Sequence, residues 1–248
     1  MHINAHNWDG KTMKQELFGE KEWKRICDSG IVNIGNNYRL SKAINRAVQG
    51  KEIKIGFIGG SITAGSLASM PETCYAYLVY SWWNEMFPRA DIGYINAGIG
   101  ATTSQYGVAR VSKDLLSYEP DVVFVEFSVN DRDEEKFMET YEGLIRRILT
   151  HPKEPAVVII NNVCYDSGDN AQSIHNRVGT YYDLPIDEQA NFYESCFRVF
   201  HDKAWFAGHF WWDWSIEIYD SRDEAVKDTG FNIHLKKAED VVKRWYKE

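Results

Sequence analysis

The chain has 248 residues, 44% of them apolar and 26% charged, which suits one α/β domain, or one domain with a small appendage, and suffices to bury a large core. Its formal net charge of −8 argues against a nucleic acid or an anionic membrane as partner, since either needs a basic face. No apolar run approaches the roughly 20 residues that span a bilayer, so no membrane partner is expected.

The start, Met1-His2-Ile3-Asn4-Ala5-His6-Asn7-Trp8-Asp9, shows no basic segment followed by an apolar one. No secretory leader is therefore expected, and the chain reads as cytoplasmic. Cys27, Cys74, Cys164 and Cys196 are widely spaced, without a C-x-x-C pair. They read as reduced, mostly buried residues and not as a disulfide or zinc framework. Nine tryptophans and 14% aromatic residues exceed ordinary usage and fit either core packing or stacking on sugar rings.

Residues 1–30 are polar and read as an N-terminal helical extension, with one amphipathic helix over 14–27. A helix over 40–48 is stopped by Gly50. Strands and helices then alternate: strand 53–58, helix 73–87 ending before Pro88, strand 92–96, helix 104–118 ending near Pro120, strand 122–127, helix 134–149 ending before Pro152, and strand 156–161. The strands at 122–127 and 156–161 read as continuous apolar runs, as expected when both sheet faces are covered. The alternation implies βαβ units and a parallel sheet. Beyond 162 the rhythm changes to a polar loop at 165–170, a helix over 173–182, a short strand over 183–186 and a longer helix over 188–200. An aromatic run over 205–214 and a terminal helix over 236–246 follow.

Three loops follow three of these strands and should open on one edge of the sheet. The first is Gly59-Gly60-Ser61-Ile62-Thr63, the second Asn96-Ala97-Gly98-Ile99-Gly100, the third Ser128-Val129-Asn130-Asp131. Ligands bind outside the carboxyl ends of parallel strands. A serine in a glycine turn there reads as a nucleophile, although a helix-capping hydroxyl is the plainer alternative. The Ser61 N–H, the Gly98 N–H and the Asn130 amide form a plausible oxyanion hole. Gly98 and Asn130 also have plainer readings as turn residues. A nucleotide site built on Gly56, Gly59 and Gly60 ranks low, because the spacing is not G-x-G-x-x-G and no G-K-[ST] follows.

These three blocks resemble those of the SGNH hydrolases, or GDSL-type esterases, in order and spacing, over residues 32–186. The upstream Asn33-Ile34-Gly35-Asn36-Asn37-Tyr38-Arg39-Leu40 and the downstream Tyr181-Tyr182-Asp183-Leu184-Pro185 resemble bacterial members that deacylate carbohydrates. The resemblance implies a flavodoxin-like three-layer α/β/α sandwich with a parallel sheet. It also implies hydrolysis of an acyl ester, acetyl or similar, without metal or cofactor. Ser61 would be the nucleophile, Gly98 and Asn130 the oxyanion donors, and an oligosaccharide or small ester the substrate.

The family's Asp-x-x-His-Pro block is not found. His234 sits about where that block should fall and is the best available base, with Asp228 upstream as its orienting acid and Asp213 as a rival. The segment 187–248 instead resembles the last strand and helix of a (β/α)8 glycoside hydrolase of mannanase-like type, carried by 188–193, 205–214 and 230–246. A quarter of a barrel cannot close by itself. Trp211, Trp212 and Trp214 therefore read as packing residues, and the segment as an atypical C-terminal part packed on or completing a 31–186 core. An impaired or carbohydrate-binding protein that lacks the base block is the competing reading.

Overall fold

The structure is a computed structural model that describes residues 30–66, 68, 70–162 and 170–188. The expected N-terminal helix, the loop at 165–169 and almost all of the 187–248 segment, with Asp213, Asp228 and His234, lie outside the described residues.

Six strands form one sheet: β1 (Ile31–Asn33), β2 (Ile53–Gly59), β3 (Ile92–Gly98), β4 (Val122–Glu126), β5 (Ala156–Asn161) and β6 (Ile186–Glu188). The order across the sheet is β1-β6-β5-β4-β2-β3. All neighbours are parallel except β1, which runs antiparallel along β6. The five parallel strands, ranked by their place in the chain, lie in the order 2-1-3-4-5, the flavodoxin-like arrangement. The expected three-layer α/β/α sandwich is the fold observed.

The helices are α1 (Tyr38–Val48), the single turn α2 (Ser61–Ala64), α3 (Tyr75–Met86), α4 (Ser104–Asp114), α5 (Glu135–Leu149) and α6 (Gln172–Tyr181). Ala43 and Ala47 of α1 and Ala76 and Trp83 of α3 are buried with Ile53, Ile55 and Phe57 of β2 on one face. On the other face, Val111 of α4, Leu144, Ile145 and Ile148 of α5 and Val178 of α6 are buried with Ile58, Val123, Val125 and Ile159. The buried positions of α5 (Phe137, Tyr141, Leu144, Ile145, Ile148) recur every three to four residues, so one stripe meets the sheet and the rest faces water.

Helix ends follow local chemistry. Gly50 takes φ +73 beyond α1; its N–H bonds Ala47 O and the Lys51 N–H bonds Arg46 O, which closes the last turn as a Schellman motif. The expected helix over 73–87 is shorter: a 3-10 turn (Pro71–Thr73) precedes it and Cys74 between them is extended. The expected helix over 104–118 stops at Asp114, and a 3-10 turn (Leu116–Tyr118) follows. Glu119 precedes Pro120, which disfavours α backbone there, and it adopts φ 55.

At the amino edge of the sheet, Asp121 is buried and ties three segments together. It accepts the Lys54 N–H at 2.9 Å, pairs with the Arg46 guanidinium of α1 and lies 3.6 Å from Lys153 Nζ. Truncating a buried carboxylate that holds cations and a backbone donor leaves them unpaired. Asp121→Ala is expected to cost about 2 kcal/mol in urea unfolding, because it leaves the Lys54 N–H and the two cations at this end of the sheet without their carboxylate. A stability within experimental error of wild type would refute the clamp.

Candidate active site

In an open parallel sheet the crevice forms where successive crossovers leave in opposite directions. Here that point lies between the carboxyl ends of β2 and β4: α3 after β2 packs on one face, while α4 and α5 pack on the other. Gly59 at the end of β2 stands in register with Gly98 of β3 on one side and Glu126 of β4 on the other. The three loops singled out in the sequence therefore leave from one level of the sheet.

Ser61 is the first residue of α2, with Gly60 as its cap. Its N–H has no acceptor within the helix, as for the first residues of any helix, and its side chain is half-buried. A Cβ added to Gly100 would lie 3.9 Å from Ser61 Cβ, and one added to Gly60 would lie 2.1 Å from Asn130 Oδ1. The glycines thus let the second and third loops close on the serine turn. Gly98 belongs to β3 itself and not to the loop after it, and its Cα faces the α2 backbone, where a Cβ would stand 2.3 Å from Ala64 N. Its N–H donates to Asn96 Oδ1 at 2.9 Å, while Asn96 Nδ2 donates to Thr63 O at 2.8 Å. In this structure the Gly98 N–H is therefore engaged.

Asn130 is half-buried and held by its backbone, whose N–H bonds Phe127 O. Its Oδ1 is buried without a partner among the described residues. The adjacent Asp131 is buried and anchors the loop twice: Oδ1 accepts the Ser104 N–H that opens α4 at 2.8 Å, and Oδ2 lies 3.0 Å from His175 Nε2 on α6. The His175 ring stacks on Tyr141 at 3.6 Å between centroids and is fully buried. Burial holds its pKa below the usual imidazole range against the pull of Asp131, so the neutral ring donates Nε2–H to the carboxylate. The pair fixes the Asn130 loop from below.

Glu126 closes β4 and is fully buried. It is the one charged residue in the 122–127 run expected to be continuously apolar. One of its oxygens lies 3.4 Å from Thr63 Oγ1 and the other 3.4 Å from Ser128 Oγ. Thr63 Oγ1 also meets Tyr75 OH at 2.9 Å, and the Ser128 hydroxyl bridges the Asn162 N–H and C=O at 2.7 and 2.9 Å. Burial pushes the Glu126 carboxyl up to about 7, with its hydroxyl contacts pulling the other way. Burial likewise pushes the Tyr75 phenol far above its usual range.

Two titrations with opposite signs follow. The fold favours neutral Glu126, so the associated stability is complete below its ordinary 4.5 and is lost as the pH rises through about 7. The fold also favours neutral His175, so its contribution is present above 6.5 and is lost as the pH falls through its lowered value. Glu126→Gln removes only the first. The stability of Glu126→Gln relative to wild type is expected to rise by about 3 kcal/mol between acid and mildly alkaline pH in urea titrations. A constant difference across that range would refute the assignment.

Of the histidines, His151 and His175 are described, and neither hydrogen-bonds the Ser61 hydroxyl. Among the described residues no cluster of three or more His, Cys, Asp or Glu is gathered as a metal would need. Cys74 is a buried free thiol. No helix among the described residues is long and apolar enough to cross a membrane.

The chain is similar to a two-domain esterase active on acetylated mannans, whose crystal structure with mannopentaose matches with 54% identity and a TM-score of 0.66. The match covers 68% of this chain and 47% of the esterase, so the chain spans less than half the length of that protein. A second crystal structure of a two-domain esterase active on acetylated mannans matches with the same identity and TM-score, over 46% of that chain. A catalytic mutant of an acetylxylan esterase from Geobacillus stearothermophilus is 17% identical, with a TM-score of 0.43, over 54% of this chain and 75% of that one. The profile of Glycoside Hydrolase Family 113 matches residues 129–236. It thus meets the expected glycoside hydrolase likeness of the tail but begins well before 187. The first part of its range, through α5, β5, α6 and β6, is built into the sheet described above. No curated protein matches the chain.

Proposed function

We propose that the chain is a serine esterase of SGNH type that removes an acyl group, acetyl by preference, from a carbohydrate. The observation that carries this reading is the meeting of the Ser61 turn and the Asn130 loop at the switch point, with Gly60 in contact with Asn130. The likeness to an esterase active on acetylated mannans supports an acetylated oligosaccharide as substrate.

In this reading Ser61 Oγ attacks the ester carbonyl and passes its proton to a histidine. His234 is the proposed base and Asp228 its orienting acid. The carbonyl oxygen becomes an oxyanion held by the Ser61 N–H and the Asn130 side-chain N–H. Gly98 adds its N–H when Asn96 Oδ1 releases it. Collapse expels the sugar hydroxyl and leaves acyl-Ser61; water then attacks, the carboxylic acid leaves and Ser61 regains its proton. No metal or cofactor takes part in this scheme.

The lack of an Asp-x-x-His-Pro block in the sequence favours a second reading, a catalytically impaired or carbohydrate-binding protein. Turnover of p-nitrophenyl acetate and of acetylated manno-oligosaccharides, and labelling of Ser61 by a fluorophosphonate, separate the two. Ser61-dependent turnover with rapid labelling supports the esterase. Neither turnover nor labelling would leave the binding protein.

A further inference from the structure

The buried carboxyl of Glu126 stands directly beneath the two loops on which the esterase reading rests. We propose that Glu126 is a positioning residue for the Ser61 reaction: one of its oxygens meets the turn that carries Ser61 and the other the loop that carries Asn130, so this one side chain sets the gap across which the oxyanion forms. The inference rests on the proposed function.

The geometry is specific. Thr63, which meets one oxygen, lies two residues beyond Ser61 in the single turn α2. Ser128, which meets the other, lies two residues before Asn130. The backbone adds to the same link, because Glu126 pairs in register with Gly59, two residues before Ser61. A Cβ at Gly59 would fall 2.1 Å from Thr63 Oγ1 and 2.4 Å from Glu126 O, so turn and strand end are in contact already. Moving the carboxyl moves both loops.

The neighbours explain why an acid can stand there. Around it are the Thr63 and Ser128 hydroxyls, the phenols of Tyr75 on α3 and Tyr141 on α5, and Asn162 at the end of β5. The buried Arg110 guanidinium is engaged by Asp114 and the Gly59 carbonyl instead. With no cation bonded to it among the described residues, the carboxyl is favoured as the neutral acid, which can donate to one hydroxyl while accepting from the other. Its rise to about 7 places ionisation in the working range of a hydrolase. Ionisation buries an unpaired charge between the two loops, and the shift that relieves it disturbs the gap they hold.

The test compares the full chain with Glu126→Gln and Glu126→Ala. Fluorophosphonate labelling of Ser61, and kcat and KM for p-nitrophenyl acetate, are read on both sides of pH 7, with circular dichroism as a check on folding. Glutamine keeps the shape and the donor but cannot ionise. The expected result is kcat near wild type on the acid side and no decline above pH 7, where wild type declines. Alanine should lose about 10²-fold in kcat, the scale of a small misplacement of reacting groups, with KM little changed. Identical alkaline limbs in wild type and Glu126→Gln, or a wild-type kcat in Glu126→Ala, would overturn the proposal while leaving the esterase reading intact. A wild-type protein that neither labels nor turns over would overturn both.

Discussion

Ser61→Ala is expected to abolish ester turnover, lowering kcat by about 10⁴-fold or more, while the protein folds as before. Acyl transfer through a covalent intermediate has no route without the attacking oxygen. The turn itself loses little: Ser61 follows the cap residue Gly60, so the substitution removes no cap side chain. Serine and alanine also differ little as first residues of a helix that tertiary packing holds. The comparison requires steady-state turnover of p-nitrophenyl acetate and an acetylated manno-oligosaccharide, with thermal unfolding alongside. Equal turnover by the variant would remove Ser61 from the chemistry.

Gly60→Ala is expected to match the loss expected on removing the Asn130 amide, about 10²–10³-fold in kcat. Gly60 has φ −86, so alanine is not forced into the left-handed region there. The new methyl carbon would instead sit 2.1 Å from Asn130 Oδ1 and 2.9 Å from its Cγ, and the asparagine tip must swing away. Folding should be largely preserved, since a side-chain tip and not backbone gives way. Asn130→Ala, Gly60→Ala and the double variant should therefore show nearly equal kcat, because both substitutions remove the same donor. Additive losses in the double variant would mean that Gly60 acts through something other than Asn130.

How much of this was legible in the sequence depends on the kind of signal. Strands β2, β4 and β5 lie where the apolar runs fell, since burial on both faces leaves a pattern that short-range reading can see. β1 gave no such signal: it is three residues long and largely exposed, and it exists because β6 offers an edge to pair with. The three loops singled out by their spacing leave one level of the sheet, since register sets Gly59 beside Gly98 and Glu126.

What escaped was long-range and polar. Asp131 and His175 are 44 positions apart in the chain and meet only through the packing of α6. Glu126 is visible in the sequence as a charge inside an apolar run, but its contact with Thr63 is made only by packing. The Asn96 side chain that occupies the Gly98 N–H belongs to the same sequence block, but its orientation is a tertiary outcome. His234 and Asp228 lie outside the described residues.

The antiparallel pairing of β1 with β6 has a consequence for how such a unit is joined to others. Ile31 stands opposite Asp187, so the first and last strands of the core meet on one border, at the far side of the sheet from β3. Sequence attached before Ile31 and sequence attached after Glu188 depart from neighbouring points. Entry and exit on one border is the geometry that lets a folded unit accept flanking sequence without rethreading its strands.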